Sequence, residues 1–162
     1  LAKQSINELS NLLRSLLNNR KKSLITLKEE LEIVNDYLNL EKIRYEDRLI
    51  VKLKIDEKSL PCLIPPMLVQ TLVENGIKHG ISKLKNGGEI SIISSINNSI
   101  LMIKIVNDGH YTYPHTNHKG LGIKNSKKRI DLLYESKSSL KIINQNNKVV
   151  TLIKIPVVKI KT

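Results

Sequence analysis

The chain of 162 residues has no phenylalanine and no tryptophan, and five tyrosines supply all its aromatic content. Its core must therefore be built from Ile, Leu and Val, which favours a fold containing a sheet, because β-branched side chains suit a pleated, half-buried surface. The single cysteine, Cys62, excludes a disulfide framework and a cysteine-based zinc site, and reads as a small core residue. No apolar run reaches the roughly 18 residues of a membrane span, and Leu1-Ala-Lys-Gln lacks the basic and apolar regions of a signal peptide. A soluble, cytosolic piece cut from something longer is expected. Acidic residues are few, 15 against 27 Lys and Arg, for a net charge of +12. That surplus brings nucleic acid into consideration. The lysines are scattered through every segment, however, and the tyrosines do not interleave with a basic cluster as stacking platforms would. Nucleic acid is set aside as a partner, and a phosphorylated small molecule is the expected local anion.

The length fits one domain with a helical appendage. Leu1, Leu9, Leu12, Leu13, Leu16 and Leu17 recur at helical spacing, so a leading amphipathic helix is expected over residues 1 to about 20. Its stripe needs a partner, such as a second copy of the chain. Thr26-Leu-Lys-Glu29 fits a capping box and opens a second helix to about Tyr45. Leu49, Val51, Leu53 and Ile55 alternate with polar or outward positions and predict a strand. Gly87-Gly88 opens another through Ile90 and Ile92, Asn97-Asn98 predicts a hairpin turn, and Leu101, Ile103 and Ile105 follow. Residues 107 to 122 lack periodicity and predict a loop between glycines. A helix through Ile123, Ile130 and Leu133 and two strands near 140–143 and 149–155 complete the chain. The expected fold class is α+β, a two-layer α/β sandwich in which a mixed sheet of about five strands carries helices on one face, preceded by an N-terminal helix.

The stretch from Ile64 to Gly80 predicts one helix of about four turns, entered through Pro65-Pro66 and closed at Gly80. Leu68, Thr71, Leu72, Asn75 and His79 share one arc, and Val69, Val73, Gly76 and Ile77 another. Asn75 thus points where apolar residues point and needs a partner. Glu74 and Lys78 are spaced to pair on the surface. Glu74, Asn75, Lys78 and His79 also have the makings of a magnesium and phosphate site, with hard oxygen ligands beside cationic groups. A solvated helix end explains the same residues equally well. Asn107-Asp108-Gly109 at a strand end is most often just a turn, and Gly120-Leu121-Gly122 before a helix can either cradle an anion or simply turn.

Taken in order, these patches resemble the ATP-binding catalytic domain of sensor histidine kinases, within the group that includes gyrase-type and Hsp90-type ATPases. Leu12-Leu-Arg14, Leu27-Lys-Glu-Glu-Leu31, Tyr37-Leu-Asn-Leu-Glu-Lys-Ile-Arg-Tyr45, Ile64-Pro-Pro-Met67, Leu72-Val-Glu-Asn-Gly-Ile-Lys-His79 and Arg129-Ile-Asp-Leu-Leu-Tyr134 are similar to the LytS/YehU-type family. The resemblance implies that Glu74 and Asn75 are catalytic, with Asn75 the Mg2+ ligand and Glu74 polarising the acceptor or orienting water. It implies that Lys78, His79, Asn107, Asp108, Gly109, Gly120, Leu121 and Gly122 bind ATP, with the two glycine boxes flanking a lid and Asn125 following in the second box's pattern. It implies further that residues 1–25 are the remnant of a dimerisation and phosphotransfer hairpin, and that 26–162 form the catalytic domain. The partners implied are ATP, a response regulator receiver domain and a second subunit joined through the hairpin, in the cytoplasmic part of an inner-membrane sensor.

Two departures stand out. Asn107 occupies the place where the family's Asp accepts the adenine amino proton, Asp108 is displaced by one, and His110 replaces a common hinge glycine. A neutral carboxamide is the weaker acceptor, so Asn107→Asp is expected to strengthen adenine binding, and a regulatory module without kinase activity is the alternative reading. The family's phosphorylated histidine, in a His-Phe-x-x-Asn setting, precedes Leu1, and none of His79, His110, His115 or His118 has that setting. His110, His115 and His118 are expected to be solvated side chains rather than a metal cluster.

Overall fold

A computed structural model describes residues 23–112 and 121–159. The leading helix expected over residues 1 to about 20 lies outside them. Thr26 caps α1 (Leu27–Tyr45) as the sequence predicts. Its hydroxyl accepts from the Glu29 amide at 3.2 Å, and the Glu29 carboxylate accepts from the Thr26 amide at 2.8 Å. The main sheet has the order β2-β4-β5-β7-β6, from β2 (Leu49–Ile55), β4 (Gly88–Asn97), β5 (Ile100–Asp108), β6 (Ser139–Gln145) and β7 (Lys148–Pro156). β2 and β4 are parallel and the remaining pairs antiparallel, so the sheet is mixed as expected.

The inward row of each strand meets the helices in one core. Ile90 and Ile92 of β4, Leu101, Ile103 and Ile105 of β5, and Ile153 and Ile155 of β7 are buried with Leu38 of α1 and Ile130 of α3 (Leu121–Tyr134). Val69, Leu72 and Val73 of α2 (Leu68–Asn75) join them. Burying each such side chain contributes about 1.5–3 kcal/mol, and branched aliphatics fill the space that aromatics fill elsewhere. Cys62 is fully buried, as its sequence context suggests, and burial pushes its thiol pKa up.

Four local features differ from the sequence reading. β1 (Ile25–Thr26) and β3 (Leu63–Ile64) form a small antiparallel ladder that two-residue strands do not announce. Leu53 is 52% exposed although it shares an alternating row with core-facing Leu49, on a strand that forms one edge of the sheet. The β4–β5 hairpin turns on Asn98 and Ser99, both at positive φ, one residue later than predicted. The stretch before Gly80 is not one regular helix. The prolines precede α2, Met67 adopts a left-handed conformation, and a π turn over Gly76–Gly80 and a 3-10 turn over Ile81–Lys83 follow.

Candidate functional site

The π turn is where the site is built. A Cβ on Gly76 would stand 2.8 Å from Asn107 Oδ1, and one on Gly80 would stand 2.3 Å from Asn107 Nδ2. The two glycines therefore let the widened turn close over the end of β5, where Asn107 is buried. Gly109, at φ +119°, packs against the Gly80 backbone, so the strand can leave directly beneath the turn. A π turn at such a junction is a frequent mark of a functional site.

Asn75, Gly76, His79, Gly80 and Asn107 line one side of a pocket. Its apolar walls are Leu72 of α2, Ile123 of α3, Ile142 of β6 and Val149 of β7. His110 and Tyr111 stand at its rim. Asn75 Nδ2 donates to the Thr71 carbonyl at 2.6 Å. Asn107 Nδ2 donates to the Asp108 carbonyl at 2.9 Å, so its Oδ1 is the end left to accept.

Glu74 and Lys78 do not share this pocket. They face a second groove, on the α1 side, with Tyr37, Glu41 and Arg44. The 100° step of the helix accounts for the division, since 75 and 79 lie on one face and 74 and 78 on the next. Glu74 accepts from Gln70 Nε2 at 2.7 Å. Burial, with Glu41 and Glu74 nearby, raises the Tyr37 pKa.

Asp108 faces away from the pocket. Its carboxylate accepts from the Glu89 amide at 2.7 Å and pairs with Lys148 at 2.9 Å. Burial pulls the Asp108 pKa up, but the amide and the ammonium outweigh it and leave the group below its usual value, while Lys148 is raised by the same pair. Gly122 packs on Thr71, 3.0 Å from a would-be Cβ to the Thr71 methyl, which joins the start of α3 to α2. Leu121 opens α3. Gly120, His115 and His118 lie outside the described residues. Among the described residues no group of three or more His, Cys, Asp or Glu side chains is placed to hold a metal.

Two structural contributors escape sequence reading. Asn144 of β6 clamps the segment that leaves β5, accepting from the Tyr111 amide at 2.8 Å and donating to its carbonyl at 2.9 Å. Glu30 of α1, fully buried, accepts from the Met67 and Gln70 amides at 2.9 and 3.1 Å and so caps α2 from another helix. Arg129 of α3 donates to the Pro66 carbonyl beside it. Desolvation raises the Glu30 pKa against the pull of these amides and of Arg129. The Glu30 position reads simply as part of an amphipathic helix, and the Asn144 position as a strand end, so neither announces its role.

The same architecture recurs in solved structures. The catalytic domain of histidine kinase ThkA, in a nucleotide-free form, superposes with a TM-score of 0.64 at 18% identity, over 84% of this chain and 97% of that one. A further ThkA structure holds its response regulator protein TrrA. The fold is thus that of histidine kinase catalytic domains. In sequence, a family model described as histidine kinase matches residues 1–49. The sensor protein LytS of Staphylococcus epidermidis is 33% identical over 153 residues, covering 87% of this chain and 26% of that protein. The sensor histidine kinase BtsS of Escherichia coli K12 is 36% identical over 129 residues, covering 80% and 23%. The chain belongs to the LytS-type sensor histidine kinases. It spans about a quarter of the length of these curated relatives.

Proposed function

We propose that this chain is the ATP-binding catalytic region, residues 26–162, of a sensor kinase that transfers the γ-phosphoryl group of ATP to a histidine and onward to a response regulator receiver domain. The observation that carries the reading is the pocket beneath the π turn, where Asn75, His79 and Asn107 meet the apolar walls of Leu72, Ile123, Ile142 and Val149. Adenine enters between Ile142, Val149 and Leu72, and its amino group donates to Asn107 Oδ1. His79 and the amides near Gly122 lie toward the phosphates.

Asn75 Oδ1 suits magnesium, a hard cation that takes oxygen ligands and keeps several waters, and the ion's role when bound is to neutralise phosphate charge. Glu74 faces the neighbouring groove, from which an acceptor imidazole can approach, and there it orients or deprotonates the nucleophile. Lys78 stands beside it to meet developing negative charge. Positioning of this kind supplies most of the catalysis in phosphoryl transfer.

Residues 1–25 are assigned to the dimerisation hairpin, and the region as a whole to the cytoplasmic side of an inner-membrane sensor. No described helix is long and apolar enough to cross a membrane. Incubating a longer form of the chain, one that carries an acceptor histidine, with γ-labelled ATP and magnesium should give acid-labile label on histidine. Nucleotide binding without label would favour a regulatory module without kinase activity, the reading that Asn107 keeps open.

A further inference from the structure

The helices use one face of the five-stranded sheet. On the other face, the register sets side chains in rows that cross the strands. One row runs Lys54, Ile93, Lys104, Leu152, Lys141 from β2 to β6. Its neighbour contains Val106, Val150 and Ile143, and on its other side Met102 is paired with Lys154. Strands about 4.8 Å apart put the lysines of the central row roughly 10 Å from one another, with an aliphatic side chain in each gap. The face's two carboxylates, Glu89 and Asp108, sit at one end, occupied by Lys52 and Lys148. Among the described residues no carboxylate pairs with Lys54, Lys104, Lys141 or Lys154.

We propose that this open face docks on an anionic lipid bilayer. Charge complementarity calls for a negative partner that meets several separated ammonium groups at once. An acidic peptide is normally seated in a groove or added to a sheet edge, whereas this row crosses the middle of a broad face, from β2 to β6. A layer of anionic headgroups answers every lysine together. The long lysine stems let the ammonium groups reach phosphates while Ile93, Leu152, Val106 and Ile143 approach the acyl boundary. Docked in this way, the sheet would hold the nucleotide pocket, which opens among the helices, away from the membrane.

Co-sedimentation of the chain with phosphatidylglycerol-containing vesicles, and with phosphatidylcholine vesicles as control, tests the assignment. Two variants carry the same loss of charge: Lys54→Gln/Lys104→Gln/Lys141→Gln on the sheet and Lys124→Gln/Lys127→Gln/Lys128→Gln on the exposed side of α3. Wild type should sediment with anionic vesicles alone. The sheet variant should lose more than about tenfold in partitioning and the α3 variant much less. The exposed pair Lys54→Gln/Lys141→Gln, which leaves half-buried Lys104 in place, keeps the test decisive if the triple variant folds poorly. Equal losses in the sheet and α3 variants would show attraction by net charge alone and overturn the proposal. Absence of wild-type binding, or capture of polyglutamate in place of vesicles, would overturn it too, the latter in favour of an acidic protein partner.

Discussion

Asn107 carries two demands at once. Its Nδ2 holds the Asp108 carbonyl at 2.9 Å, and its body fills the space left by Gly76 and Gly80. The sequence shows only a neutral residue where the family resemblance leads one to expect an acid, and from that alone Asp is the better adenine acceptor. The structure adds a cost. A carboxylate at 107 has no proton to give the Asp108 carbonyl and sets two acceptors face to face in a buried site, worth about 1–3 kcal/mol. Asn107→Asp should therefore lower the unfolding temperature of the nucleotide-free protein yet enlarge the stabilisation that MgATP produces, both read from one set of melting curves. A variant with unchanged melting and no larger ATP effect would mean that the Asn107 side chain serves neither purpose. At this scale the sequence singles out Asn75, a carboxamide among apolar neighbours, whereas Asn107 at a strand end is ordinary turn chemistry and stands out only through the family resemblance. The sequence does not expose Glu30 or Asn144, whose partners lie 37 and 33 residues away along the chain.

Among the elements, α2 shows why boundaries are harder to read than existence. Apolar spacing from Leu68 to Ile77 predicts a helix correctly, and the prolines and Gly80 bracket it. The π turn cannot be read from that spacing, because it exists to accommodate the end of β5, a contact made by tertiary packing. The start of α2 is likewise stabilised from outside. Met67 offers no side-chain cap, and the buried Glu30 carboxylate supplies the acceptor instead. Glu30→Ala would leave the Met67 and Gln70 amides without partners and should cost about 2–4 kcal/mol, seen as a lower denaturant midpoint with an unchanged slope. Glu30→Gln, which keeps an acceptor oxygen, should cost less. If both variants unfold like wild type, α2 is held by its apolar face alone.

For the molecule as a whole, period-2 and helical patterns were enough to anticipate the mixed sheet and the helix layer. The small β1–β3 ladder and the two separate cavities were not legible, since both depend on how distant segments meet. The pocket beneath the π turn is proposed to bind nucleotide through Asn75 and magnesium. Asn75 makes one side-chain hydrogen bond, within its own helix, so Asn75→Ala should leave the fold intact. The measurement is thermal unfolding with and without MgATP, in wild type and in Asn75→Ala. At a ligand concentration 100 times the dissociation constant, wild type should gain about 2.7 kcal/mol and the variant nothing. Equal stabilisation of both proteins, or of neither at millimolar MgATP, would contradict the account.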